Sequence, residues 1–185
     1  MLYILRANKV SREATLVNFM PYSKKVLQAF KNPKHCGKIK NPDGIGKVGN
    51  IYCGDVMWLY IKIGQNKKKQ EIIKDVRFET FGCIAAIASS NIIAGMVKGK
   101  TIEYALKLTK DRALEQLGGL PPIKVHCSVL AVDALKEAIY DYLRKNKKEI
   151  PKDLQKRHVE LEKERKAIEK KYKAWVKKEE QLRNA

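Results

Sequence analysis

Leu120-Pro121-Pro122-Ile123-Lys124-Val125-His126-Cys127-Ser128-Val129-Leu130 is the stretch from which the rest of the chain can be read. Two successive prolines cannot continue a helix, and the apolar positions after them recur as Leu130, Ala131, Ala134, Leu135, Ala138, Ile139 and Tyr142. This 3-4 spacing marks a helix with one buried face, from about Val125 to Lys145. His126 and Cys127 therefore fall at its entrance, where free backbone N–H groups and the positive end of the helix dipole favour a thiolate. An imidazole beside such a thiolate suits soft-metal binding or attack on sulfur.

Upstream, two more cysteines stand at element junctions. Val56–Ile63 alternates and is rich in β-branched and aromatic residues, as is Ile72–Phe81, and a polar turn at 65–70 separates them, so an antiparallel hairpin is expected. Cys53 precedes its first strand and Cys83 follows its second. The entry and exit of a hairpin are neighbours, so these two cysteines converge. Cys127 joins them if its helix packs on the sheet with its N-terminus at the same edge. Asp55 and His126 add oxygen and nitrogen donors beside these thiols. Such a set fits Zn²⁺, Fe²⁺ or a small iron–sulfur cluster. Spacings of 30 and 44 residues match no zinc finger, and from spacing alone ordinary buried thiols remain an open alternative.

The remaining elements follow from local signals. Ser23 caps a short helix marked by Val26, Leu27 and Phe30 and stopped before Pro33. Residues 32–55 are loop-like and glycine-rich. The small apolar run Ile84–Lys98 reads as a helix able to approach a sheet closely, with Gly99 just past its end. Thr101 and Thr109 cap two short helices, the second ending near Gly118-Gly119. Pro151 is expected to close the globular part, dividing the chain into an N-terminal arm or upstream-start extension (1–19), a domain (20–150) and a charged helical tail (151–185). In the tail Leu154, Leu161, Ile168, Trp175 and Leu182 recur every seven residues, but Arg157, Glu164, Lys171 and Lys178 make the companion positions polar, which gives only half a coiled-coil seam. The tail is expected either to lean on its own domain or to serve self-association and partner docking.

Charge and composition set limits. The chain has 185 residues and a formal charge of +19, but the excess is diffuse, with 24 Lys and Arg against 12 Asp and Glu over 20–150. No aromatic residues are interleaved with it in an RNA-binding pattern, which disfavours nucleic acid as a partner. No apolar run nears the ~20 residues that span a membrane. No secretory signal is recognised, and a basic stretch at Arg6, Lys9 and Arg12 leaves a transit peptide as an alternative. A cytoplasmic, reducing location is expected, where scattered cysteines serve metals or chemistry rather than disulfides.

Three blocks carry a family resemblance: Gly49-Asn50-Ile51-Tyr52-Cys53-Gly54-Asp55, Thr80-Phe81-Gly82-Cys83-Ile84-Ala85-Ala86-Ile87-Ala88-Ser89-Ser90, and Leu120 through Ala131. In this order they resemble the signature motifs of the IscU/NifU-type iron–sulfur scaffold family, and Tyr22-Ser23-Lys24-Lys25-Val26 with Asn32-Pro33 resembles its N-terminus. The resemblance covers about residues 20–145. It implies an α+β fold, with a small antiparallel sheet of about three strands and helices on one face, the third strand coming from residues 38–52. It implies that Cys53, Cys83 and Cys127 hold a nascent [2Fe-2S] or [4Fe-4S] cluster with Asp55 and His126 as auxiliary ligands; Zn²⁺ is a candidate for the resting form. It further implies a scaffold rather than a turnover enzyme, with a cysteine desulfurase giving persulfide sulfur to Cys127 and apoproteins receiving the cluster. Leu120, Pro121, Pro122, Ile123 and Lys124 resemble a motif offered to an Hsp70-type chaperone, and Tyr22 is a further partner-binding candidate. A ferredoxin or frataxin-like partner and a homodimer complete the expected associations.

Some residues depart from the pattern. Ile84 stands where the family has a small residue, which would narrow the mouth of the site. Tyr52 replaces another small residue, and Cys36 after His35 has no counterpart. A zinc-bound sulfur relay that activates a desulfurase is the alternative function, and His126 before the third cysteine argues against that branch.

Overall fold

The computed structural model describes residues 22–50 and 54–183, with side chains left undescribed at 171, 172 and 174–183. Three strands form one antiparallel sheet in the order β1 (Gly44–Gly49), β2 (Val56–Gln65), β3 (Glu71–Phe81). The register pairs Gly49 with Val56 and Val56 with Phe81. Three chain ends are thereby aligned at one edge: the exit of β1, the entry of β2 and the exit of β3. The β2–β3 turn is built on Asn66, whose Oδ1 accepts from the N–H groups of Lys68 and Gln70 at 2.9 and 3.0 Å, an Asx device that lets Lys69 adopt φ +58°. The third strand lies within the span expected for it and escaped pattern reading because Gly44, Gly46 and Gly49 interrupt its alternation.

Helix α1 (Lys24–Lys31) starts at Ser23, whose Oγ accepts from Val26 N–H at 3.2 Å. Helix α2 (Ile84–Val97) buries nine of its 14 residues, so its sequence shows no polar face. Threonine caps open α3 (Ile102–Leu106) and α4 (Lys110–Leu117), the latter closed by Gly118 at φ +69°. A single 3₁₀ turn (Pro122–Lys124) then leads into α5 (Val125–Lys145). Met57, Leu59, Ile61, Val76 and Phe78 form the inner face of the sheet and have no exposed surface. Met57, Leu59, Ile61 and Val76 pack against α2 and α5 in one core.

Helix α5 meets β1 backbone to backbone. A Cβ built on Gly46 would lie 1.9 Å from the carbonyl oxygen of Ala134, and one on Gly44 2.1 Å from that of Ala138. Glycine on the strand and alanine on the helix are both needed for this approach, and Asp141 adds a hydrogen bond from Ile45 N–H to its Oδ2 at 3.0 Å.

The last helix, α6 (Lys152–Arg183), docks on this same core. Leu154 and Leu161 are buried in it. The positions between them are polar but paired. Arg157 makes a forked contact to Asp133 at 2.6 and 3.2 Å. His158 Nδ1 lies 2.9 Å from a Glu137 oxygen, its ring stacked on Tyr140 at 3.8 Å. Burial pushes the Glu137 carboxyl up, against the pull of His158. The heptad stripe is thus engaged by the chain's own domain at Leu154 and Leu161.

Gly46→Ala is expected to destabilise the protein by about 3 kcal/mol, because the added methyl forces α5 off the sheet. Chemical denaturation compares it with Gly64→Ala, whose Cβ would meet the Lys74 side chain first; equal midpoints would show that the helix can retreat freely.

Candidate functional site

The aligned strand ends and two helix starts converge on one cluster. Asp55 precedes β2, Cys83 follows β3 and caps α2, and Cys127 lies in the first turn of α5. Their ligand atoms all lie within 4.8 Å of one another. The two sulfurs are 3.5 Å apart, and Cys127 Sγ is 3.7 Å from Asp55 Oδ2. Asp55 and Cys127 are buried while Cys83 is half-exposed, so the cluster opens to solvent on the Cys83 side.

Glycine makes room for this cluster. A Cβ on Gly82 would sit 2.9 Å from the Ala86 methyl and 3.2 Å from the Asp55 carboxyl carbon. Any larger residue would push the carboxylate off the thiols. Thr80 Oγ1 donates to Val56 O at 2.7 Å and fixes the two strand ends together.

A helix start bears on Cys83 as well as on Cys127. Cys83 is the N-cap of α2. A hydrogen bond from Cys127, aided by the N–H groups of Ala86 and Ala85, brings its thiol down to about 6, against burial and the charge of Asp55. Lys124 stands close enough for the Cys83 thiolate to raise its ammonium pKa. The Tyr22 phenol is raised by burial and by the same thiols. Both residues therefore belong to the surroundings of the cluster.

Of the expected ligands, the structure assembles Asp55, Cys83 and Cys127. His126 is not in that group, although its Nε2 is buried without a hydrogen-bond partner. An orphaned ring nitrogen next to Cys127 is costly unless something else binds it, so it fits a donor in reserve. Cys53 lies outside the described residues, on a segment whose ends are tied by hydrogen bonds from Asn50 N–H to Asp55 O and from Gly54 N–H to Asn50 O, both 2.9 Å. Cys36 is exposed and pairs through its backbone with Phe78, away from the three donors. Ile84 packs with Tyr22 and Leu120 on the small core of Val26, Ala29, Ala88 and Leu117. In the Leu120–Lys124 segment, Ile123 is 77% exposed. Sequence reasoning missed Gly82 as the space for Asp55; only its place between Thr80 and Cys83 hinted at it.

Two thiols and a carboxylate in a half-open cleft form an incomplete set for a thiophilic metal or small cluster, with room for further donors. Comparison with known proteins points the same way. An archaeal relative from Archaeoglobus fulgidus, the iron-sulfur cluster assembly scaffold protein IscU 1, is 56% identical over 127 residues, covering 69% of this chain and 80% of its own. The scaffold protein IscU of Aquifex aeolicus is 48% identical over 124 residues, covering 67% and 77%. The fold matches that of a nitrogen-fixing NifU-like protein (N-terminal) from Brucella abortus with a TM-score of 0.52 at 23% identity, covering 68% of this chain and 96% of that one. The family model described as NifU-like N terminal domain matches residues 21–149, and the chain belongs to that family.

Proposed function

We propose that the protein assembles iron–sulfur clusters on Cys53, Cys83 and Cys127, with Asp55 and His126 as auxiliary ligands, and passes them to apoproteins. The observation that carries this reading is the convergence of Asp55, Cys83 and Cys127 within 4.8 Å at a solvent-facing edge. Iron and sulfide are the cargo. A carboxylate binds iron less tenaciously than a thiolate does, so a mixed set can hold a [2Fe-2S] or [4Fe-4S] cluster and still release it. Zn²⁺ fits the same thiolates in the resting protein.

A cysteine desulfurase supplies sulfur as a persulfide. In the described conformation Cys127 has no exposed surface, so its role as acceptor requires the cleft to open, and Cys83 is the described site thiol that a donor meets first. The exposed Ile123 within Leu120–Lys124 suits capture by an Hsp70-type chaperone during release. Tyr22 at the rim is the further partner contact. A ferredoxin or frataxin-like electron or iron source, a homodimer and a cytoplasmic setting complete the reading. The Pro151 boundary is retained in a limited sense: 20–150 carries the site and 151–185 carries the docked helix.

Anaerobic reconstitution with iron, sulfide and a desulfurase tests the assignment. Ser substitution of Cys53, Cys83 or Cys127 is expected to abolish stable cluster content, whereas Cys36→Ser keeps most of it. A zinc-only protein that never develops cluster absorption would favour the sulfur-relay function.

Asp55→Ala should lengthen the lifetime of the bound cluster and slow its transfer to an apo-ferredoxin, followed optically. Faster loss would make Asp55 an indispensable ligand. In metal-free Cys36→Ser protein, iodoacetamide should label Cys83 before Cys127 at pH 7. Labelling at Cys83 should fall as pH drops below about 6, where its thiolate takes up a proton. Peptide mapping that finds Cys127 modified first would show the cleft open in solution.

A further inference from the structure

The site depends on the segment between β1 and β2, which carries Cys53 and ends at Asp55. Helix α6 reaches its foot. A Cβ built on Gly49 would lie 3.1 Å from Cδ1 of Ile168, 3.4 Å from Cγ1 of Val56 and 3.7 Å from the carbonyl oxygen of Asp55. Gly49 is the last residue of β1, and the next residue, Asn50, donates its N–H to that same Asp55 carbonyl. Ile168 thus presses on the point where the ligand segment is pinned to the sheet.

The position of Ile168 is set by the helix it belongs to. Leu154 and Leu161 are buried, Arg157 forks onto Asp133, and His158 meets Glu137 and stacks on Tyr140. Arg165 holds Glu162 at 2.9 Å along the same side. Leu154, Arg157, Leu161, Arg165 and Ile168 follow a 3-4 spacing, so one continuous face runs from the core to Gly49. Glycine at 49 leaves the gap that the isoleucine fills.

We propose that Ile168 is a positioning residue for the metal site: the docked C-terminal helix clamps the foot of the 50–55 segment and so holds the Asp55 carboxylate over the Cys83 and Cys127 thiols. The clamp works by packing. With Ile168 in place, opening at Asn50 and Gly54 must also lift β1 off the helix; without it, the hydrogen bonds at Asn50 and Gly54 open locally. Loss of the contact leaves the two cysteines where their own helices put them and loosens the one readily replaced donor, which speeds release; Asp55→Ala differs in removing that exit altogether. The assignment of these residues as a metal site rests on the proposed function; the clamping of the segment does not.

The test uses the full chain with Ile168→Ala, and Val159→Ala as a control on the exposed side of the same helix. Hydrogen exchange in the metal-free protein reads the clamp directly. The amides of Asn50 and Gly54 should exchange at least about threefold faster in Ile168→Ala, while that of Phe78, held by the His35 carbonyl on the far side of β3, is unchanged. Equal acceleration at all three would reveal general destabilisation, and no change at Asn50 and Gly54 would remove the clamp; either overturns the proposal. The second reading uses zinc loaded into each protein and released to a chelator. Release should also be at least about threefold faster in Ile168→Ala and unaltered in Val159→Ala. Loosened amides with unaltered zinc release would overturn the positioning role. Failure of the wild-type protein to bind zinc would instead count against the metal-site reading, while the exchange measurement would still decide the clamp.

Discussion

Backbone contact between α5 and β1 is the constraint on which the site depends. At Gly44 and Gly46 the strand has no side chain, and the helix lies close enough for its Ala134 and Ala138 carbonyls to occupy the space of a Cβ. That approach fixes both the depth and the slide of α5 relative to the sheet. Cys127 lies in the first turn of α5, so its sulfur inherits this precision. A larger residue on either side would move the whole helix as a lever, and the displacement would reach the sulfur undiminished.

The cluster then arises from economy of space rather than from strong individual bonds. Asp55, Cys83 and Cys127 come from three different segments, and each is held by the terminus of a regular element. The Asp55 carboxylate opposes ionisation of the neighbouring Cys83 thiol at these distances. The N–H groups of Ala85 and Ala86 offset part of this at Cys83, and Lys124 and Tyr22 add polar company. The remaining imbalance is what a cation relieves on binding. An apo site that is stable yet electrostatically unsatisfied can both attract a cation and give up its cargo.

Much of this was legible in the sequence. Hairpin alternation, helix caps at Ser23, Thr101 and Thr109, and the proline-opened helix at 125–145 all follow from local chemistry, and local chemistry survives folding. The convergence of Cys83 and Cys127 was legible as a condition: it required the helix start to pack at the same edge as the hairpin exit. β1 was not readable by pattern: it exchanges side chains for close contact with α5, so the glycines that make the packing erase the alternation. The N-cap role of Cys83 was hidden for a related reason. Cysteine is not a usual cap, and a helix as apolar as Ile84–Val97 shows no polar face to mark its first turn. Gly82 looked like loop chemistry, although its function is to be empty.

The C-terminal helix shows how a heptad count that weighs only apolar residues leaves the choice between docking and self-association open. Leu154, Leu161 and Ile168 suggested half a coiled-coil seam because Arg157 broke the companion row. In the fold Arg157 and His158 are the companions, satisfied by Asp133, Glu137 and Tyr140 on α5. Ion pairs here cost desolvation and return little net stability, but they specify where the helix lies along α5. Apolar contacts alone would tolerate sliding by a turn; a forked Arg–Asp pair and a stacked imidazole do not. Specified register carries Ile168 to Gly49, and therefore the helix beyond the family domain bears on the segment from which a ligand comes.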